Sequence, residues 1–302
     1  MTHHQINFLF LNIGHFFDHM FVLIFATVAA LSLTTEWGMT YSQLIPYATP
    51  GLVAFGALAV PVGWLADKWS RERMLAIFFI GIGASSAFTA LAETPLQIGI
   101  GLLFIGVFAA IYHPVGIAMV VHGREKTGVP LAINGIFGNM GIAVAALLAG
   151  LLIDTNGWRA AFVLPGILSI GCGFAYIFFF RAGRAARAAE IESGAAAKKA
   201  VAGTMTIDRN LVIRTFAIIF TTTAIGGFIL RSTTFALPKI FDERLTDIAN
   251  SATSIGTYSF LVFALAAFAQ LVVGYLVDRY SIRIIFASLA ALQAAFFIVM
   301  VN

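Results

Sequence analysis

The sequence predicts an all-α polytopic membrane protein, and three observations carry that prediction. The composition is 60% hydrophobic and only 11% charged, with 29 Phe and a mean hydropathy of +0.93; a soluble domain carries roughly 25% charged residues. The apolar residues gather into long runs of about the 20 residues that an α-helix needs to cross hydrocarbon. Most Lys and Arg lie in the loops between those runs.

The first run, Ile6 to Leu33, is too long and continuous for a cleaved leader and lacks a basic start, so it is expected to stay as a transmembrane helix. Leu44 to Ala66, Met74 to Ala92, Pro95 to Val121, Pro130 to Ile153 and Trp158 to Phe180 follow as further spans. Within the fourth, Pro114 removes a backbone donor and frees carbonyls about one turn earlier, predicting a kink. Arg181 to Arg209 is rich in Ala, Gly, Lys and Arg and reads as a solvated linker. Leu211 to Leu237, Ala252 to Val277 and Ile284 to Asn302 complete nine spans. The expected organisation is thus an N-terminal six-helix bundle over 1–180, a basic cytoplasmic linker over 181–210 and about three further helices over 211–302.

Alternate loops hold fourteen of the eighteen Lys and Arg, which by the positive-inside rule puts the N-terminus in the cytoplasm of a cell with this protein in its inner membrane. The same placement explains the net charge of +4 without invoking nucleic acid. Cys172, the single cysteine, reads as a small packing residue. No phosphate-binding glycine loop, HEXXH or nucleophile elbow is present, so neither an enzyme nor a cofactor is expected.

A charged knot, GWLADKWSRER from Gly63 to Arg73, returns as GYLVDRYSIR from Gly274 to Arg283, 211 residues later. Gly63, Asp67 and Lys68 correspond to Gly274, Asp278 and Arg279, further basic residues follow within one turn (Arg71 and Arg73; Arg283), and two copies of one helix-loop-helix signal imply two related halves. This pair resembles the signature loop of the major facilitator superfamily, departing from it at Ser70, where that family usually has Gly. The resemblance implies two six-helix bundles, of which this chain would hold one whole and about half of the second, as a truncated chain would. It also implies that the two loops form a latch closing the cytoplasmic side, the carboxylates bonding helix N-termini and the glycines allowing close packing; alternatively the loops only set topology.

In the first helix His15, Asp18 and His19 share one face. Ionisable groups in hydrocarbon usually face a bundle interior or aqueous cavity. Helical rise puts His15 and Asp18 about 14 to 18 Å deep and His113, on the fourth span, at about 14 Å. A carboxylate beside imidazoles can exchange protons near neutral pH; the alternative is a fixed polar network. Two His at this spacing also raise a metal site, but no other ligand-spaced set stands nearby and none is expected.

GHFFDH at Gly14 to His19 and YHPVG at Tyr112 to Gly116 resemble the fosmidomycin-resistance branch of the superfamily, drug-exporting antiporters. Tyr112 is either a cavity residue or packing. Asn134 and Asn139 lie in NGIFGNMGIAVAALLAG, which corresponds to the fifth-helix glycine motif of exporters, with Gly138-Asn139 in place of Gly-Pro; they bond substrate or neighbouring helices. Gly157-Trp158-Arg159 resembles a common start of the sixth span, with Arg159 as an interface anchor. Arg231, about 30 Å along its helix, reads as an outer-interface residue or an anion contact.

The sequence therefore predicts a proton-coupled secondary transporter that exports a small organic compound by alternating access. Its partners are that small molecule, protons and the lipid bilayer. Import of a small organic anion is the alternative within transport, and a non-transporting membrane protein or inactive fragment is the alternative outside it.

Overall fold

The computed structural model of the protein describes residues 2–124, 126–183, 209–277 and 279–301. Most of the expected linker, residues 184–208, and Asp278 lie outside the described residues. Every predicted span is helical. Helix α1 (His3–Val28) runs on through a π-helical turn at Ala29–Leu33 into Thr34–Glu36, so the first span is 34 residues long. Its N-terminus is closed by a capping box between Thr2 and Gln5.

The second span is not one rod. It is built of α2 (Thr49–Ala57) and α3 (Ala59–Lys68), preceded by helical turns from Tyr41, and bends by 41° at Leu58. Pro61 accounts for the bend, because it has no N–H for the carbonyl of Ala57. The third span is α4 (Arg71–Thr89). Ser70 caps it, its Oγ accepting from Arg73 N at 3.2 Å, so the departure from glycine in the charged loop provides a helix start. The fourth span breaks into α5 (Pro95–Ala109) and α6 (Tyr112–Val121) one turn before Pro114. Helices α7 (Gly128–Asn156) and α8 (Trp158–Ala182) meet at Gly157, whose φ of +80° is a conformation that L side chains rarely adopt.

Three helices follow: α9 (Arg209–Arg244), α10 (Ala252–Val277) and α11 (Ile282–Val301). Among the described residues seven helices are long and apolar enough to cross a membrane, eight if the bent α2–α3 pair is one span, and the apolar part of α11, Ile282–Phe296, is shorter.

Helix α1 is buried on nearly every side from Leu11 to Val28 because α4, α5, α6, α7, α8 and α9 all touch it. Around it the exposed shell is apolar, with Phe88, Phe178 and Phe228 all turned outward, as a hydrocarbon-facing surface requires. The closest approaches use glycine. A Cβ on Gly141 would strike the backbone of Phe16, drawing α7 against α1. On the other side of α7, Gly150 lies against the carbonyl of Ala252 and Gly256 against that of Ala146, so α7 and α10 meet backbone to backbone.

Candidate functional site

The site is assembled where α1, α6 and α7 cross. From α7, Asn134 is completely buried and acts as the hub. Its Nδ2 donates to Asn12 Oδ1 and to the Tyr112 hydroxyl, both at 2.9 Å, and that hydroxyl donates to the carbonyl of Leu11 at 2.6 Å. The main-chain carbonyl of Asn134 accepts from His15 Nδ1 at 2.8 Å. Since a carbonyl can only accept, the His15 proton sits on Nδ1 in the neutral ring and Nε2 carries the free lone pair. The His15 ring stacks on Tyr112 with centroids 4.9 Å apart and planes at 19°, which holds its orientation.

His19 lies one turn further along α1, its Nε2 3.1 Å from His15 Nε2. Asp18 is 0% exposed, and neither carboxylate oxygen has a hydrogen bond of good geometry. Its Oδ2 stands 3.3 Å from Nε2 of His113, whose side chain is 39% exposed. The three imidazoles therefore surround one point, with His113 edge-on to His15 at 5.3 Å and to His19 at 5.4 Å between centroids. A buried carboxylate without hydrogen bonds is costly when charged. Proton transfer between Asp18 and His113 or His19 is the chemistry this arrangement can perform.

Arg231 of α9 comes to the same cluster. Its guanidinium is 5.6 Å from the Phe55 ring centroid, Phe55 stands 5.7 Å edge-on to His113, and the Arg231 charge acts on both Asp18 and His19. The sequence left this residue at the outer interface or at an anion contact; its nearness to Asp18 is the feature that counting along the helix did not supply.

Asn139 faces away from this cluster and donates to Gln270 of α10. The residue that replaces the usual proline of the fifth-helix motif thus joins α7 to α10. In the first charged loop Asp67 pairs with Arg71 at 2.7 Å on the exposed surface, Lys68 lies over Trp64 at 4.1 Å and Arg73 over Trp69 at 5.5 Å. Gly63 faces Pro114 of α6, and Gly274 faces Ala132 of α7. Arg279 stacks on Tyr275 at 4.1 Å, and Arg283 is exposed.

Some partners were missed in the sequence, although two of them left a trace. Asn12 is a polar residue three positions before His15 in an apolar run, and Gln270 interrupts SFLVFALAAFAQLVV. Glu36 accepts from Trp158 Nε1 at 2.6 Å and pairs with Arg159 at 3.3 Å, which ties the start of α8 to the end of the first span. Asp154, at the end of α7, accepts from Thr253 N at 2.8 Å, Thr253 Oγ1 at 2.6 Å and Ala252 N at 3.3 Å, capping α10 from outside. Nothing in the local sequence announces that last contact, since its partners are about a hundred residues apart.

A sequence profile of the Major Facilitator Superfamily matches residues 11–302. Among curated relatives, a probable sulfoacetate transporter of Cupriavidus necator is 25% identical over 157 residues, 51% of this chain and 36% of that protein. The puromycin resistance protein of Streptomyces alboniger is 29% identical over 135 residues, 44% of this chain and 27% of that protein. The matched stretch is thus only about a third of the length of these relatives. The crystal structure of a D-xylose-proton symporter is similar in fold, with a TM-score of 0.60 at 15% identity, covering 90% of this chain and 69% of that one.

Proposed function

The chain belongs to the Major Facilitator Superfamily, and on that premise we propose that it is a proton-coupled secondary transporter that moves a small organic compound across the inner membrane by alternating access. The observation that carries the proposal is Asp18: fully buried, without a hydrogen bond, and 3.3 Å from a half-exposed imidazole. A carboxylate kept for structure alone would be bonded on all sides. Asp18 binds and releases the proton. His113, the most exposed of the three imidazoles, passes it to the aqueous side, while His15, with its tautomer held by Asn134, and His19 set the energy of the charged state.

The direction we assign is export, in keeping with the GHFFDH and YHPVG strings and with a relative that confers puromycin resistance. Arg231 favours a second reading, import of a small organic anion, because a half-buried guanidinium beside the cluster offers such a cargo a counter-charge, and one relative is a probable sulfoacetate transporter. The two charged loops serve as the cytoplasmic latch. Their support is the repeat itself and the close approaches at Gly63 and Gly274, with the Asp67–Arg71 pair exposed and free to exchange partners.

The test is proton movement across proteoliposomes carrying a pH-sensitive dye, driven by a gradient of puromycin or of sulfoacetate. Puromycin-driven counterflow of protons that disappears in Asp18→Asn supports the export reading. Co-movement of protons with sulfoacetate that is lost in Arg231→Gln supports the second. Coupled flux that survives Asp18→Asn reduces the cluster to a structural network.

A further inference from the structure

The cluster at Asp18 also has the composition and spacing of a metal site. We propose that His15, His19 and His113 bind a borderline transition-metal dication such as Zn²⁺ or Co²⁺ in the interior of the first bundle, with the Asp18 carboxylate beside His113 as the nearby counter-charge. The sequence raised such a site but left it unexpected, because it shows only two ligands one turn apart. The fold supplies the third imidazole from α6, and the ring nitrogens of the three histidines lie within 4.8 Å of one another.

Four features support it. Zinc–nitrogen bonds of about 2.0–2.1 Å in a tetrahedron place neighbouring ligand atoms roughly 3.3–3.4 Å apart. The His15–His19 nitrogen separation is 3.1 Å, so one edge of the tetrahedron already stands near that length. Second, His15 donates its Nδ1 proton to a backbone carbonyl, the outer-shell bond that metal-bound histidines usually make, and so turns an unprotonated Nε2 towards the centre. Third, the Asp18 carboxylate beside His113 is completely buried and neither oxygen has a hydrogen bond of good geometry, a charge that a nearby cation would offset. Fourth, the donors are three imidazoles, which favours zinc, cobalt or nickel over magnesium or calcium. Arg231 opposes the cation, since its charge reaches Asp18 and His19. The carboxylate offsets it. Binding requires His19 and His113 to close on the centre by side-chain rotation, and the partial exposure of His113 gives the ion its way in.

The experiment is Co²⁺ titration of the detergent-solubilised protein, purified on a tag free of histidine and followed by visible absorption and by calorimetry. We expect one Co²⁺ per chain with the intense absorption of a tetrahedral ion, displaced by Zn²⁺ but not by Mg²⁺. His19→Gln and His113→Gln should each weaken binding by about tenfold or more, and Asp18→Asn should weaken it. His3→Gln, His4→Gln and His122→Gln, outside the cluster, should leave the affinity unchanged. Retention of the thermal midpoint in the cluster variants separates ligand loss from misfolding. The proposal is overturned if Co²⁺ fails to bind, if it binds without the tetrahedral spectrum, or if binding follows His3, His4 or His122. Because the readout is equilibrium binding and not flux, an absence of proton coupling leaves it standing, and an absence of metal binding leaves the transport reading standing.

Discussion

Replacing Asn134 with Leu tests whether the buried polar hub holds the bundle together. Its side-chain bonds to α1 and α6 disappear, the shortest of them those that Nδ2 donates to Asn12 and to Tyr112. In membrane proteins such bonds contribute about 0.6 kcal/mol each on average. The larger loss comes from Asn12, only 4% exposed, whose Oδ1 is left without the donor it has now. A buried unsatisfied acceptor costs about 1–3 kcal/mol. Asn134→Leu should therefore destabilise by about 2–4 kcal/mol. Asn12→Leu should cost less, about 1 kcal/mol, because Asn134 keeps its bond to Tyr112. The double variant leaves no orphan acceptor at Asn12, so its penalty should fall short of the sum by about 1–2 kcal/mol. Unfolding by dodecyl sulfate in mixed micelles measures all four corners of the cycle. Penalties that add within about 0.5 kcal/mol would refute the reasoning, because the two side chains would then not be sharing a bond that matters.

Other outcomes follow from single contacts. Asp154→Ala removes the external cap of α10 and should cost about 1 kcal/mol in the same titration, and Asp154→Asn, which keeps an acceptor, should cost less; equal losses would mean the charge alone matters. Gly256→Val drives a side chain into the backbone of α7 at Ala146 and should destabilise by about 1–3 kcal/mol. Gly226→Ala in α9, where an added Cβ meets nothing within 4 Å, should instead stabilise by about 0.5–1 kcal/mol; a loss there would contradict the open space assigned to it. Gly138→Ala places a Cβ 2.7 Å from His15 Nε2 and displaces the ring. Its expected signature is a fall in coupled proton flux with the unfolding midpoint little changed, and unchanged flux would count against a role for His15.

The positions of the helices were readable because apolar runs separated by charged loops leave a chain few alternatives in a bilayer. The meeting of His15 and Asp18 with His113 was readable for a related reason: depth along a straight helix follows from counting residues. The same count left Arg231 at the outer interface or at an anion contact and did not join it to Asp18, because that proximity is set by how α9 packs on α1. Breaks in helices were legible only in part. Pro114 announced its kink, whereas the bend at Leu58 depends on Pro61, which the hydropathy pattern hides within one continuous run. Contacts chosen by tertiary packing left the weakest trace. Gln270 could be singled out as a polar intruder, but its partner Asn139, 131 residues away, could not.

The seam between α7 and α10 limits how these helices can move. At Gly150 and Gly256 each backbone rests in a notch of the other, and Asp154 pins one end of the pair. Sliding along the common axis would force neighbouring side chains onto carbonyl groups, so translation is blocked. Rolling about the line of contact keeps both notches filled. Of the rigid-body freedoms open to two packed helices, the seam therefore leaves chiefly a roll about the line of contact, held at one end by Asp154 and nearer the other by the Asn139–Gln270 bond. Spin labels facing each other across the seam should then keep constant distances along its whole length, and a change of register between the two helices would show that the notches slide.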